Sequence, residues 1–207
     1  MPNEMFLIRH GETVANRDCR LIGSTDESLS ARGLSQVQAL ARQWAHLGKE
    51  RFFCSPLLRA RQTAGVLLGV DEGAVAAEDD LREMDFGCCE GRTFAEIRSM
   101  DPELVDRWAA MTSDFSFPQG ESVRDFLERV NRVAEKMREA PEPVLVVVSH
   151  GGVIRALLCH YLCIPFRQYG VFEIQPASVT VLRFHEGKAR LAGLNDRKHL
   201  EGTAWEK

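Results

Sequence analysis

The chain has 207 residues, 44% of them hydrophobic, and a formal net charge of −4. That length and apolar share suit one packed domain spanning residues 1–207 and argue against two independent ones. The mild acidity and the lack of any Lys/Arg block exclude a basic nucleic-acid surface, and no apolar run approaches the ~20 residues of a membrane helix.

In chain order, Met1-Pro2-Asn3-Glu4 lacks the basic start and long apolar run of a signal peptide, so a cytoplasmic protein is expected. Met5-Phe6-Leu7-Ile8 reads as a short buried strand ending in Arg9-His10-Gly11-Glu12-Thr13. Ser30 caps a predicted helix carrying Leu34, Val37, Leu40, Ala41, Trp44 and Leu47 on one face. Arg51-Phe52-Phe53-Cys54 is a second strand candidate. Ser55-Pro56 reads as a cap plus a proline at the first helical position, opening a helix through Leu68. Residues 101–120 read as an irregular inserted flap with Trp108, Met111, Phe115, Phe117 and Pro118.

Ser122 caps a further helix with Val123, Phe126, Leu127, Val130, Val133 and Met137 as its stripe. Val144-Leu145-Val146-Val147-Val148 is apolar on both faces, as in the interior of a parallel sheet covered by helices. After Gly151-Gly152 a helix carries Val153, Ile154, Leu157, Leu158 and Leu162. Val171–Ile174 and Ser178–Phe184 complete the predicted strands, the second with an alternation that fits an edge or a half-covered strand. Two coverings of that edge stay open: a second copy of the chain, making a homo-oligomer, or the C-terminal tail. Strands alternating with such helices imply an α/β layered fold.

The chemistry-bearing residues gather at the predicted strand ends. His10 and His150 each end a strand and precede glycine, where ligands of open α/β sheets bind. A histidine there serves as a nucleophile, and a guanidinium beside it, Arg9, holds a phosphate by two hydrogen bonds. Gly151 and Gly152 let backbone approach a ligand at a helix N-terminus. Arg59 falls in the first turn of its helix, where a cation costs roughly 0.3–1 kcal/mol unless an anion sits beside it. Arg61 points about 200° away and reads as a surface residue. Glu83 and Asp85 compete as the acid of Leu81-Arg82-Glu83-Met84-Asp85-Phe86-Gly87. The six cysteines form no C-x2-C pair and read as reduced thiols, and Cys88-Cys89 as small apolar packing rather than a vicinal disulfide or a metal site.

Together these segments resemble the histidine phosphatase superfamily, also called phosphoglycerate mutase-like. The matching pieces are Arg9-His10-Gly11-Glu12-Thr13, the run from Ser55 to Ala64, Leu81 to Gly87, and Ser149-His150-Gly151-Gly152. Gly120-Glu121-Ser122 and the stretch from Leu21 to Gly33 also match. Where many relatives have a tryptophan before the Glu-Gly of this region, the chain has Cys88-Cys89. The resemblance implies a three-layer αβα sandwich around a mostly parallel sheet. It implies His10 as the nucleophile, Arg9, Arg59 and His150 as the phosphate pocket assisted by Gly151, and Glu83 as the proton donor. Asn16, Thr13, Ile22 and Gly23 match positions that touch phosphate or substrate. No metal and no cofactor are implied, because two arginines and a histidine supply the positive charge that a phosphoryl group in flight needs.

Three activities compete. The first is a phosphomonoesterase acting on a small phosphorylated metabolite, with α-ribazole 5′-phosphate, a broad substrate set or a fructose-2,6-bisphosphate-like ester as candidates. The second is a phosphoglycerate mutase, disfavoured by the short chain and flap. The third is a silent phospholigand-binding module, disfavoured by the full catalytic set. The tract from Leu194 to Leu200 reads either as part of the substrate-class likeness or as a solvated tail.

Overall fold

The computed structural model describes residues 2–44 and 50–203. Five strands form one sheet: β1 (Glu4–Arg9), β2 (Arg51–Cys54), β3 (Val144–Ser149), β4 (Val179–His185) and β5 (Lys188–Asp196). Their spatial order is β2-β3-β1-β4-β5. β3 lies parallel to both β1 and β2, β4 runs antiparallel to β1, and β5 antiparallel to β4. The run from Val144 to Val148 thus takes the interior place that its two apolar faces demand.

Strand alternation sorts the core into two layers. Met5, Leu7, Leu145, Val147 and Leu182 point to one face, against α6 (Val123–Arg138) and α7 (Gly151–Leu162). Ile8, Cys54, Val146, Val148 and Val179 point to the other, against α2 (Ala31–Gln43) and α3 (Leu58–Leu68). The result is a mostly parallel sheet between helical layers, as the resemblance implied. Ser30 and Ser122 cap α2 and α6 through Gly33 N–H and Asp125 N–H. Leu34 departs from the expected apolar stripe and is 42% exposed, and Leu47 lies outside the described residues.

Several expectations need correction. α3 begins at Leu58, because Ser55 Oγ accepts from Leu57 N–H and closes a turn ahead of the helix. Residues 101–120 are not wholly irregular: α5 (Pro102–Ala110) follows α4 (Phe94–Met100). Its signals stand in the sequence, Asp101 as N-cap and Pro102 in the first turn, and Thr93 with Glu96 forms a capping box for α4.

Val171–Ile174 is not a strand. Arg155 Nε donates to Phe172 O (2.8 Å) and Arg9 Nη1 to Ile174 O (2.7 Å), so side chains occupy carbonyls that a ladder would use. Of the two readings of β4, the edge does not hold, since β1 and β5 flank it. β5, exposed along most of its length, follows a hairpin at Glu186-Gly187, both at positive φ (49° and 77°). The tract after Leu194 is packed: Asn195 Oδ1 accepts from Gln175 N–H, and His199 and Leu200 are buried. Among the described residues no helix is long and apolar enough to cross a membrane.

Candidate active site

Parallel β1 and β3 end in register, Arg9 opposite Ser149, and that register brings the two histidines together. The His10 and His150 rings stand 5.0 Å apart, tilted by 58°. Both are buried. Burial first, then the nearby cations Arg59 and Arg9, hold both well below the ordinary imidazole pKa, and His10 adds to the effect on His150. Both rings are therefore neutral near pH 7.

Their tautomers follow from their partners. His10 Nδ1 faces Gly11 O at 2.7 Å; a carbonyl only accepts, so Nδ1 carries the proton and Nε2 keeps its lone pair. Arg59 Nε donates to His150 Nδ1 (3.3 Å), so the proton of His150 is on Nε2, donated to Ser55 Oγ at 2.7 Å. Ser55, which does not cap α3, thus orients the second histidine.

Arg59 is fully buried. Its other nitrogens donate to Thr25 O and Gly23 O, both at 2.8 Å. Arg9 donates to Ile174 O and leaves a buried Nε without a partner. Burial lowers the pKa of Arg9 to about 10, with Glu83 acting in the opposite sense. Among the described residues neither guanidinium has a carboxylate within ion-pairing distance. One buried and one partly buried cation with no anion, beside two neutral imidazoles, form a site that an incoming dianion completes.

Arg9, Glu83, Asn16, Ile22 and Gly151 border a cleft of about 190 Å³. Glu83 Oε2 accepts from Gly152 N–H at the N-terminus of α7, and Oε1 from Met84 N–H, both at 3.0 Å. Asp85 is turned away, accepting from Gly87 N–H in its own turn (2.8 Å), so Glu83 is the acid that faces the cleft. A Cβ on Gly152 would stand 2.4 Å from Glu83 Oε1, and one on Gly151 3.5 Å from the Arg9 guanidinium carbon. These glycines leave room for the functional groups. Gly23 packs deeper: a Cβ there would stand 1.8 Å from Met84 O.

Thr13, fully buried, caps the short α1 (Val14–Arg17) and forms a capping box with Asn16, its Oγ1 accepting from Asn16 N–H. Asn16 keeps its position on the cleft. Phe115 and Phe117 are buried anchors in edge-on contact at 4.9 Å, while half-buried Trp108 lines the cleft. Cys89 packs as expected, whereas Cys88 is exposed, and both are free thiols. Among the described residues no His, Cys, Asp or Glu side chains group as a metal site.

Sequence reasoning missed Arg155, which lines the cleft one helical turn after Gly151. Its Nη1 is 3.2 Å from where a Gly151 Cβ would be, and among the described residues its one protein partner is Phe172 O. The i, i+4 spacing from Gly151 was the available signal.

Comparisons with known proteins show the family and the fold. The profile of the histidine phosphatase superfamily (branch 1) matches residues 5–197. Phosphoserine phosphatase 1 of Hydrogenobacter thermophilus is 30% identical over 198 residues, covering 95% of this chain and 94% of that protein. The crystal structure of the α-ribazole phosphatase from Shigella flexneri superposes with a TM-score of 0.81 at 29% identity, covering 94% of this chain and 96% of the other. A mycobacterial glucosyl-3-phosphoglycerate phosphatase, solved with VO3, gives 0.79 at 30% identity, covering 93% and 98%.

Proposed function

The chain belongs to the histidine phosphatase superfamily, and on that premise we propose that it is a metal-independent phosphomonoester hydrolase working through a phosphohistidine on His10. The observation that carries this reading is the pair of guanidiniums, Arg59 fully buried and Arg9 partly buried with its Nε enclosed, without carboxylate partners beside two neutral imidazoles.

The phosphoryl oxygens lie between Arg9, Arg59 and His150, with Gly151 N–H beside them. Arg9 contributes its unpartnered Nε, and the charge spread over the oxygens in the transition state is what such a cradle stabilises. His10 Nε2 attacks phosphorus while its Nδ1–H stays on Gly11 O. The bond from phosphorus to the ester oxygen breaks, and Glu83 gives that oxygen its proton. Water then attacks the phosphohistidine, Glu83 takes the water's proton, and inorganic phosphate leaves with His10 restored. General acid–base help of this kind is worth ~10²–10⁴ in rate.

His150 accepts from Arg59 at Nδ1. To donate to a phosphate oxygen from that nitrogen it takes up a proton as the dianion arrives, and the dianion offsets the two cations that otherwise disfavour the imidazolium.

The substrate is a small phosphorylated metabolite in the cytoplasm. Asn16 and Ile22 form the wall that meets it, Gly23 packs behind that wall, and the 101–120 segment, with Trp108 on the cleft, serves as the flap over it. A cleft of about 190 Å³ lies below the ~300–1,000 Å³ of drug-sized pockets, which supports a compact ester. α-Ribazole 5′-phosphate, phosphoserine and phosphoglycerate-type esters follow from the relatives' names and belong in one side-by-side assay.

The deciding experiment measures phosphate release from p-nitrophenyl phosphate in EDTA. Turnover is expected to persist in the chelator and to vanish in His10→Ala. Retained turnover in that variant removes the mechanism, and isomer formation from 3-phosphoglycerate would favour the mutase.

A further inference from the structure

Glu83 stands on a segment with no helix or strand of its own, between 3-10 turns at Asp79–Leu81 and Gly87–Cys89. A carboxylate on such a loop is only as well aimed as the backbone beneath it. Three carbonyls of that backbone, those of Asp80, Arg82 and Glu83, are held by one side chain, Arg129, from the middle of α6. Arg129 Nη1 donates to Asp80 O (3.0 Å) and Arg82 O (2.6 Å), and Nη2 to Glu83 O (3.0 Å). The same guanidinium grips Glu121 by two bonds, Nε to Oε1 at 2.6 Å and Nη2 to Oε2 at 2.8 Å. Glu121 continues the clasp: its N–H donates to Asp85 O (2.9 Å), and its Oε2 accepts from Asp85 N–H (3.3 Å). Arg129 and Glu121 are nearly buried, with side chains 12% and 15% exposed, and the Phe126 ring lies 4.9 Å beneath the guanidinium.

We propose that Arg129, locked by Glu121, is a positioning residue that aims the Glu83 carboxylate at the leaving oxygen; this rests on the reading of Glu83 as proton donor. Three carbonyls and a carboxylate around one planar group need the fixed five-donor fork of arginine, which the point charge of lysine does not reproduce. Glu121 neutralises the cation, so the role is geometric. This gives a function to the Gly120-Glu121-Ser122 segment. Ser122 caps α6, Glu121 sets Arg129, and a Cβ on Gly120 would lie 2.5 Å from Asp85 O.

The test uses the full chain and two esters that differ in how much they need an acid. Nitrophenolate leaves unprotonated, whereas the alkoxide of β-glycerophosphate does not. Misplacing a catalytic group by about 1 Å costs on the order of 10²-fold, so kcat/KM of Arg129→Lys on β-glycerophosphate is expected to fall by about 10- to 100-fold. The loss on p-nitrophenyl phosphate is expected to stay under about threefold, since little proton donation is needed there. Glu83→Gln should show the same split, and adding Arg129→Lys to it should cost nothing more on the alkyl ester.

Equal losses of Arg129→Lys on both esters, or additive losses in the double variant, overturn the positioning role alone. Equal losses of Glu83→Gln on both esters overturn the proton-donor reading and this proposal with it. Should Arg129→Lys fail to fold, Glu121→Gln, which keeps the shape and loosens the clasp, is judged by the same split.

Discussion

His10 and His150 show how burial sets chemistry at a single residue. Each imidazole is kept neutral by lost solvation and by Arg59 and Arg9, so His10 is ready to attack without first losing a proton. The same fact makes stability depend on pH. An unfolded imidazole titrates near ~6.5, and these two titrate well below that when folded. As pH falls below ~6.5 the unfolded chain takes up protons that the native one refuses, so stability falls by up to about 1.4 kcal/mol per histidine per pH unit. His199, pushed down to about 4 by burial and then by Arg197, adds to the same slope. We expect the urea midpoint to drop steadily from pH 7 to pH 5, with a shallower slope in His150→Gln. A flat profile over that window would show the imidazoles to be solvated.

At the scale of the element, the segments around the cleft are held by buried rings rather than by long regular structure. Phe117 is 1% exposed and touches Phe86, Trp108 and Phe115 edge-on, at 5.2, 5.2 and 4.9 Å. It ties the loop carrying Phe86 to α5, which carries Trp108 into the cleft. Phe117→Ala should cost about 3–5 kcal/mol in denaturant unfolding, the usual cost of emptying a buried aromatic site. It should also raise KM by loosening the Trp108 wall. A stability loss with KM unchanged would mean that Trp108 holds its place without this ring. The same scale explains the misread 171–174 segment. Phe172 and Ile174 are buried, as the apolar pattern demands, but their carbonyls serve Arg155 and Arg9. Hydrophobic alternation reports burial, and burial alone does not make a strand.

At the scale of the molecule, four residues from three distant stretches of chain meet because β3 lies between β1 and β2. Arg9 and His10 leave β1, His150 leaves β3, and Arg59 enters from α3 just beyond β2. The like charges of Arg9 and Arg59 oppose folding, so an anion that binds between them should stabilise the whole chain. Inorganic phosphate at 100 times its Kd should add about 2.7 kcal/mol. For a chain of this size that raises Tm by roughly 2–4 °C per kcal/mol. Arg9→Gln should lose most of that increment. An equal phosphate effect in wild type and variant would place the anion elsewhere.

Much of this was legible in the sequence. The apolar runs at Met5–Ile8 and Val144–Val148, the caps at Ser30 and Ser122, and the strand-end histidines each declare themselves through local composition, because burial and capping act within a few residues. Even the cationic strain at Arg59 could be read from its place in a first turn. What only the tertiary structure decided was pairing at a distance. It assigned Ser55 to His150 rather than to a helix cap. It brought Arg155 into the cleft and bound Arg129 to the loop of Glu83. Hydrogen bonds between residues tens of positions apart leave no periodic trace in a sequence, since they depend on where the sheet order carries each strand end.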